Sequence, residues 1–306
     1  MTRGFVTLTT GDIKYYKMAV NMLASFRLHN PETKFAIICD RENEYTAKFD
    51  DVVVLENANG DYRDKFSLLV KSPYDENIFI EPDCLIYRNL DFFWDLLSKE
   101  SDFSSFGWNN GGLDCWFKTE ETKNRLFELV PELLRDADVP LFNPGYLFIR
   151  NGERCEKMYS DCLQIAERIK SDDLLRDYAP ILCNGKLRDD PIFDLGMAIN
   201  DFICHAQPKE SKCISLPSKY IINQIDMVNG KLDVTDKNGK EFKDCSLLHF
   251  STRRVMEEGL YPWQCAIMNT YLKHGKAYKV LDNSLVEFSF NIFRLIKTRV
   301  KHFFKF

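Results

Sequence analysis

Two carboxylates, Glu81 and Asp83, stand two positions apart directly after an apolar run, and side chains of this type and spacing could bind a metal ion. An extended backbone points residues i and i+2 to the same side, so both acids would face one point. Carboxylates placed in this way repel each other unless a proton, a basic group or a divalent cation lies between them. A hard cation takes oxygen ligands and often completes its coordination with substrate phosphates. The alternative is a simple turn, because Pro82 followed by an aspartate is common turn chemistry.

The segments around these acids alternate between strand and helix patterns. Strand-like apolar runs cover residues 5–10, 34–39, 52–55, 77–80 and 84–87, and helical spacing of apolar residues covers 15–29, 65–71 and 91–97. Such alternation predicts a largely parallel sheet that gathers ligands at the carboxyl ends of its strands. Thr9 and Asp12, which close or follow the first run, are therefore expected at the same edge as Glu81 and Asp83.

Further polar candidates lie in the second half of the chain. Asn143 and Gly145 belong to a Gly/Pro-broken turn that leads into a strand, and could be no more than that turn. Asp194 stands at another predicted helix, where it could equally act as an N-cap. His249 closes a short strand, a position in which a lone histidine is more often structural than a ligand. The other predicted elements are a strand over 102–108, a helix over 153–171, a hairpin around 237–239 and a strand over 246–250.

The composition is that of a folded protein and excludes one class of partner. Hydrophobic residues make up 45% and charged residues 28% of the 306 positions, which is ordinary for a globular chain. The net charge of −5 excludes a globally basic nucleic-acid binder. Ten scattered cysteines without a CxxC pair favour reduced thiols over a disulfide framework or a zinc site. Because the sequence shows neither a signal peptide nor an apolar span of membrane length, we predict a cytoplasmic protein.

The end of the chain is a separate signal. Residues 281–306 are predicted to form an amphipathic helix, distinct from a single domain over 1–280. Within residues 286–306, five basic side chains and one acid accompany an aromatic-rich apolar face. Aromatic and basic residues together suit an anionic membrane surface, which predicts a protein peripheral to the inner face of a membrane. The alternative is a terminal helix that docks on the domain or forms a dimer contact.

In their order along the chain, these motifs resemble those of a known family, the glycogenin-like, family 8 glycosyltransferases of the GT-A fold. The resemblance covers most of residues 1–255. The motifs that carry it are Phe5-Val6-Thr7-Leu8-Thr9-Thr10-Gly11-Asp12, Lys65 one helix ahead of an acid-x-Asp strand end, Phe142-Asn143-x-Gly145, Asp194-x-Gly196 and His249-Phe250. The family resemblance implies an α/β fold of the GT-A type, with a mostly parallel central sheet flanked by helices and followed here by the helical tail.

The resemblance also implies a chemistry. A divalent cation, Mn²⁺ or Mg²⁺, would bridge protein side chains and the diphosphate of a UDP-sugar, and would stabilise charge on the departing diphosphate. The metal ligands map to Glu81, Asp83 and His249, and the candidates for catalysis beside the sugar map to Asp194 and Asn143. The residues assigned to donor binding are Thr9, Asp12, Lys65, Gly145, Arg253 and Arg254, of which the two arginines stand where the family has a phosphate-binding lysine.

The sequence therefore predicts a glycosyltransferase that moves a sugar from a nucleotide diphosphate to a glycan or lipid-linked acceptor. An alternative is a non-catalytic nucleotide-sugar-binding protein. It is motivated by Glu81 in place of the family's usual aspartate, by Leu195 where glutamine is common, and by a changed segment after Phe250. A sugar-phosphate nucleotidyltransferase would normally carry a Gly-rich basic loop after the first strand, which Thr9-Thr10-Gly11-Asp12 is not.

Overall fold

The structure, a computed structural model, describes residues 1–99, 101–142, 144–183, 185–205, 213–216, 221–236, 238–250 and 260–274. Asn143, Arg253, Arg254 and the predicted helix over 281–306 lie outside these described residues. The strands are β1 (Arg3–Thr9), β2 (Phe35–Cys39), β3 (Asp51–Val54), β4 (Glu76–Ile80), β5 (Cys84–Ile86), β6 (Phe103–Ser104), β7 (Gly107–Trp108), β8 (Leu141–Phe142), β9 (Tyr146–Arg150), β10 (Leu182–Cys183), β11 (Lys186–Leu187), β12 (Cys213–Leu216), β13 (Ile221–Asp226), β14 (Lys231–Thr235), β15 (Glu241–Phe242) and β16 (Leu247–Phe250). The α-helices are α1 (Ile13–His29), α2 (Leu68–Lys71), α3 (Phe92–Leu97), α4 (Gly112–Trp116), α5 (Glu120–Leu129), α6 (Glu153–Lys170), α7 (Asp189–Ile199) and α8 (Leu260–His274).

A six-stranded sheet with the strand order β3-β2-β1-β4-β9-β6 forms the centre of the fold. β1 pairs parallel with β2 and β4, and β2 pairs parallel with β3, whereas β9 runs antiparallel to β4 and β6. All residues of β2 and β4 are buried, as expected for inner strands that are covered on both faces. The predicted α/β fold class, with a mostly parallel central sheet and flanking helices, is confirmed.

The chain divides into two compact units. The first unit comprises Met1–Leu23, Glu32–Pro82 and Leu90–Gln207, and it contains the six-stranded sheet. The second comprises Ala24–Pro31, Asp83–Asn89 and Pro208–Phe306, and its described residues form a sheet of order β12-β16-β5 and an antiparallel sheet of order β13-β14-β15. The division into a domain over 1–280 and a tail over 281–306 stays a prediction. Among the described residues, no helix has the length and apolar character that crossing a bilayer requires.

Two helices of the first unit, α6 and α7, pack against each other, and α7 buries acidic side chains. α6 buries side chains spaced three or four positions apart along one face, as a helix packed on a core does. α7 is buried at Asp189 and over residues 191–197, which include Asp194. Gly196 permits this packing, because a Cβ at that position would lie 2.6 Å from Sγ of Cys162 on α6. The glycine of the Asp194-x-Gly196 motif thus has a packing role.

Two predicted elements differ in form from the structure. The strand predicted over 102–108 is divided into β6 and β7, and the hydroxyl of Ser105 between them donates to the carbonyl oxygen of Tyr146 at 2.8 Å. The helix predicted over 65–71 consists of a 3-10 turn, Tyr62–Ser67, followed by the short α2. Side-chain hydrogen bonds to nearby backbone groups compete with regular pairing, and apolar spacing alone does not show them.

We expect Gly4→Ala to destabilise β1, the strand that leads to Thr9. A Cβ at position 4 would lie 2.1 Å from Cε2 of the buried Tyr74, so the ring would have to move. The moving ring would also lose its 2.7 Å hydrogen bond to Oδ2 of Asp51. Overpacking of an interior costs about 1–3 kcal/mol, and we expect urea denaturation to show a loss of this size in the free energy of unfolding. In the Gly4→Ala variant, Tyr74→Ala should lower the free energy of unfolding by less than it does in the wild type, because the overlapping ring is then absent. Strictly additive losses of the two substitutions would contradict the proposed overlap.

Candidate functional site

Lys65 lies at the centre of an ion-pair group in the first unit. It belongs to the 3-10 turn Tyr62–Ser67, and only 9% of its side chain is exposed. Nζ contacts Oε1 of Glu81, the residue directly after β4, and lies 2.8 Å from Oδ2 of Asp189 at the start of α7. The ammonium group thus supplies the positive charge that allows two carboxylates to lie close together.

The charges in this group shift the proton affinities of its members. Burial by itself would lower the pKa of Lys65, but the carboxylates of Asp189 and Glu81 outweigh burial and raise this pKa above its usual range. Burial and repulsion by Asp189 raise the pKa of Asp190 to about 6, against the attraction of Arg188 and Lys65. Lys65 therefore remains a cation at neutral pH, next to acids that have little contact with water.

A cavity of about 320 Å³ opens beside Lys65. This volume lies within the range of small-molecule sites in proteins. The polar and aromatic side chains that line it include those of Thr9, Thr10, Tyr15, Tyr62, Lys65, Glu81 and Asp189. The Thr9 hydroxyl is buried and makes no hydrogen bond within the described part of the chain. Because buried polar atoms are nearly always paired, this hydroxyl is a natural contact for a bound polar ligand.

In the second unit, Asp83 and His249 meet although they are far apart in the sequence. β16 pairs antiparallel with β5, and His249 lies directly opposite Cys84 in this pairing. The backbone N–H of Phe250 donates to the carbonyl oxygen of Asp83 at 3.0 Å. Nε2 of the buried His249 lies 3.2 Å from Oδ1 of Asp83. The apolar run after Asp83 therefore pairs in a different sheet from the run before Glu81.

The side chains of Asp83, Cys84 and His249 fit a metal ion. A carboxylate oxygen, a thiol sulfur and an imidazole nitrogen lie within 4.8 Å of one another. Oδ1 of Asp83 is buried, and apart from the nearby imidazole it has no polar partner among the described residues. Imidazole and carboxylate are both common ligands of divalent cations. Glu81, the remaining predicted ligand, contacts Lys65, and its role as a metal ligand stays a prediction.

Two other residues predicted to bind the donor make backbone contacts near strand and helix ends. The carbonyl oxygen of Gly145 accepts a hydrogen bond of 2.9 Å from the backbone N–H of Glu81. Oδ1 of Asp12 accepts a hydrogen bond of 2.9 Å from the backbone N–H of Lys14 at the start of α1, and 53% of the Asp12 side chain is exposed. Gly145 thus helps to fix the position of Glu81. Asp12 is not among the described residues that line the cavity.

Asp194, predicted to take part in catalysis, is completely buried in α7. Its Oδ2 accepts a hydrogen bond of 2.6 Å from Nε1 of Trp116. Burial raises the pKa of Asp194 well above its ordinary value of 3.8, and repulsion by Asp190 adds to this rise. Hydrogen bonds from Trp116 and from the backbone of Phe142 oppose it. Within the described structure, Asp194 is a buried acid with an indole partner and not a lining residue of the cavity.

We expect Asp194→Asn to make stability less sensitive to pH. Because the folded-state pKa of Asp194 is raised, the protonated carboxyl stabilises the fold at low pH, and this stability is lost as pH rises through the folded-state pKa. Asparagine keeps the shape without this titration. The free energy of unfolding of the variant relative to the wild type should therefore rise by more than about 1 kcal/mol between roughly pH 4 and pH 8, measured by urea denaturation. A relative stability that does not change with pH would contradict the raised pKa.

Several residues that line the cavity or lie among the possible metal ligands have no clear signal in the sequence. Asp189 and Asp190 form an acidic first turn of α7, which by itself suggests only a favourable helix start. Tyr15 and Tyr62 are large aromatic side chains that remain 40% and 36% exposed at the cavity, a signal that only the structure gives. Cys84 is one of ten cysteines, and it gains a possible role only through its pairing with His249.

The fold is similar to that of solved glycosyltransferases. The galactosyltransferase LgtC, solved in complex with donor and acceptor sugar analogues, matches with a TM-score of 0.50 and 11% identity over 94% of this chain and 100% of LgtC. The glycosyltransferase GlyE of Streptococcus pneumoniae matches with a TM-score of 0.48 and 11% identity over 90% of this chain and 64% of GlyE. No protein-family model matches the sequence, and no curated protein matches it significantly. The likeness to LgtC shows the fold, and the predicted GT-A architecture is confirmed.

Proposed function

We propose that this protein is a metal-dependent glycosyltransferase. It would move a sugar from a nucleotide diphosphate, with a UDP-sugar as the first candidate, to a glycan or lipid-linked acceptor. The fold supports this class, because LgtC has the same architecture and its structure contains donor and acceptor sugar analogues. The observation that carries the proposal is the pair formed by Asp83 and His249, whose Oδ1 and Nε2 atoms lie 3.2 Å apart.

In this proposal Asp83 and His249 hold a divalent cation, for which Mn²⁺ and Mg²⁺ are the ions that the family resemblance implies. When bound, the cation supplies positive charge to the departing diphosphate and so makes it a better leaving group. The cavity of the first unit offers the buried ammonium group of Lys65, the Thr9 hydroxyl and two tyrosine rings to a polar ligand. Lys65 also fixes Glu81 and Asp189 at set positions.

Release of nucleoside diphosphate tests the proposal. The purified chain would be incubated with a panel of nucleotide sugars and a divalent cation, with and without a chelator. We expect one or more donors, UDP-sugars first, to release nucleoside diphosphate slowly by hydrolysis and faster once a suitable acceptor is added. We also expect the chelator to abolish this release. If no donor in the panel is consumed, the transferase proposal fails.

A non-catalytic nucleotide-sugar-binding protein is the second candidate, and the Lys65–Glu81 contact favours it. In this contact the ammonium group of Lys65 pairs with Glu81, the first acid of the acid-x-Asp motif. Leu195, in place of the family's common glutamine, is buried and adds no polar group beside Asp194. Calorimetry distinguishes the two candidates. Tight binding of a nucleotide sugar that is neither hydrolysed nor transferred would select the binding protein.

We further propose that residues 281–306 attach the protein to the inner face of a membrane. The support is the clustering of basic and aromatic side chains in this segment of an otherwise acidic chain. The full chain should sediment with anionic vesicles at low salt and much less with neutral vesicles. Equal sedimentation with both kinds of vesicle, or with neither, would contradict this attachment.

A further inference from the structure

We propose that Cys84 is a third protein ligand of the Asp83–His249 centre, and that the centre therefore prefers Zn²⁺ or Co²⁺ to Mn²⁺ or Mg²⁺. The inference deepens the proposed function and rests on it for the role of the ion in transfer. It concerns the atoms that hold the ion, a point that can be tested without any sugar donor.

The distances suit a shared ion. The ligand atoms of Asp83, Cys84 and His249 all lie within 4.8 Å of one another, and the Asp83–His249 separation is 3.2 Å. Around a tetrahedral zinc ion, with bonds of about 2.0 Å to oxygen and nitrogen and about 2.3 Å to sulfur, neighbouring ligand atoms lie roughly 3.5 Å apart. Small side-chain movements are therefore enough to bring all three atoms to bonding distance of one ion.

The backbone holds these residues in place independently of any ion. His249 and Cys84 are directly opposite in the β16–β5 pairing, and opposite residues of an antiparallel pair extend to the same face of the sheet. The hydrogen bond from the N–H of Phe250 to the carbonyl oxygen of Asp83 fixes the third residue at the end of this pairing. Three ligand types thus come together on a preformed part of the second unit.

The acid that would make the site oxygen-rich is engaged elsewhere. Glu81 contacts the buried ammonium group of Lys65, which also pairs with Asp189. Withdrawing Glu81 to serve as a ligand would leave Lys65 with one carboxylate fewer in a buried position, which is unfavourable. With Glu81 held in this way, the three possible ligand atoms that lie together are an oxygen of Asp83, a nitrogen of His249 and the sulfur of Cys84.

This set of donor atoms determines which ions bind well. Thiolate is a soft ligand that favours zinc and related transition metals, whereas Mg²⁺ and Mn²⁺ favour oxygen-rich sites. On binding, the Cys84 thiol gives its proton to the solvent, and the sulfur lone pair forms the new bond to the ion. Three protein ligands leave the fourth tetrahedral position open, which a phosphate oxygen of a nucleotide diphosphate can occupy.

Cobalt spectroscopy of the full-length protein tests the inference. Co²⁺ added to the metal-free wild type should produce a near-ultraviolet thiolate-to-cobalt charge-transfer band with one ion bound per chain. Cys84→Ser should lose this band and bind Co²⁺ at least about tenfold more weakly, and His249→Ala should also weaken binding. The matched control is Cys213→Ser, which alters another buried cysteine of the same three-stranded sheet. This control should keep the band.

X-ray absorption of the zinc-loaded wild type gives a readout that needs no variant. We expect one sulfur scatterer at about 2.3 Å from zinc. A cobalt band that persists in Cys84→Ser, a zinc shell without sulfur, or tighter binding of Mn²⁺ than of Zn²⁺ would overturn the inference. These results are separate from nucleotide-sugar turnover, so a chain that transfers sugar without sulfur ligation would refute the inference and leave the proposed function standing.

Discussion

Asp83→Asn is expected to lower the rate of sugar transfer by roughly a hundredfold or more, because it removes the carboxylate ligand of the proposed cation. Stabilisation of a leaving group by a metal ion is worth several kcal/mol, and each 1.4 kcal/mol or so corresponds to about a tenfold change in rate. Asparagine has nearly the same size, so the hydrogen bond from the Phe250 N–H to the backbone carbonyl at position 83 should persist. Initial rates of nucleoside diphosphate release, measured at saturating donor, would show the change.

The matched control for this prediction is Asp244→Asn. Asp244 is another carboxylate of the second unit, half-exposed and paired with Arg88 and Lys231. Its loss should leave the transfer rate within about twofold of the wild type, because surface ion pairs contribute little. The proposed metal role would be wrong if Asp83→Asn retained full activity, or if wild-type activity survived complete removal of divalent ions.

Lys65→Met should lower the free energy of unfolding by about 3–5 kcal/mol, because it leaves the buried carboxylate of Asp189 and the partly buried carboxylate of Glu81 without their cation. Methionine fills a similar volume, so the loss reports mainly on charge. The Asp189 side chain is only 7% exposed and the Glu81 side chain 23%, so water cannot fully replace the ammonium group. Since a domain of this kind is stable by only about 5–15 kcal/mol, the urea midpoint should fall markedly.

Two further variants show whether charge causes this loss. Combining Lys65→Met with Glu81→Gln and Asp189→Asn removes Lys65 together with both of its ion-pair partners, and the resulting neutral trio should recover a large part of the lost stability. Lys123→Met also removes a lysine paired with two acids, but Asp114 and Glu120 are 78% and 83% exposed, so its midpoint should hardly change. Equal losses in Lys65→Met and Lys123→Met, or no recovery in the combined variant, would show that the buried ion pairs are not the cause.

The sequence was sufficient for the architecture because the strands are short, strongly apolar runs separated by clear turn signals. β2, for example, was predicted over 34–39 and occupies Phe35–Cys39. Helical spacing likewise predicted a helix over 153–171, and α6 covers Glu153–Lys170. The pairing of β5, the strand after Asp83, with β16 could not be predicted in this way, because apolar spacing does not identify the partner of a strand.

Side-chain partners were the part of the candidate site that the sequence could not give. Asp83 and His249 were brought forward by the order of motifs, and the structure places them 3.2 Å apart. The order of motifs also assigns Glu81 to the cation, which stays a prediction, but it does not predict the contact of Glu81 with Lys65. Which ion partner a carboxylate takes depends on distances of a few ångströms between elements, as in the contact of Asp194 with Trp116. Patterns along the chain do not contain these distances.

The pairing of β16 with β5 has a consequence for synthesis of the protein on the ribosome. Every strand of the six-stranded sheet lies between Arg3 and Arg150, so the nascent chain contains all of that sheet well before β16 (Leu247–Phe250) is synthesised. Asp83 and Cys84 are also synthesised early. However, β16 can pair with β5 and place His249 beside them only after Phe250 has been added to the chain. A ribosome that stalls between these two points would carry all strands of the six-stranded sheet while β5 still lacks its partner β16, and the Asp83–His249 pair could form only after residue 250 has been added.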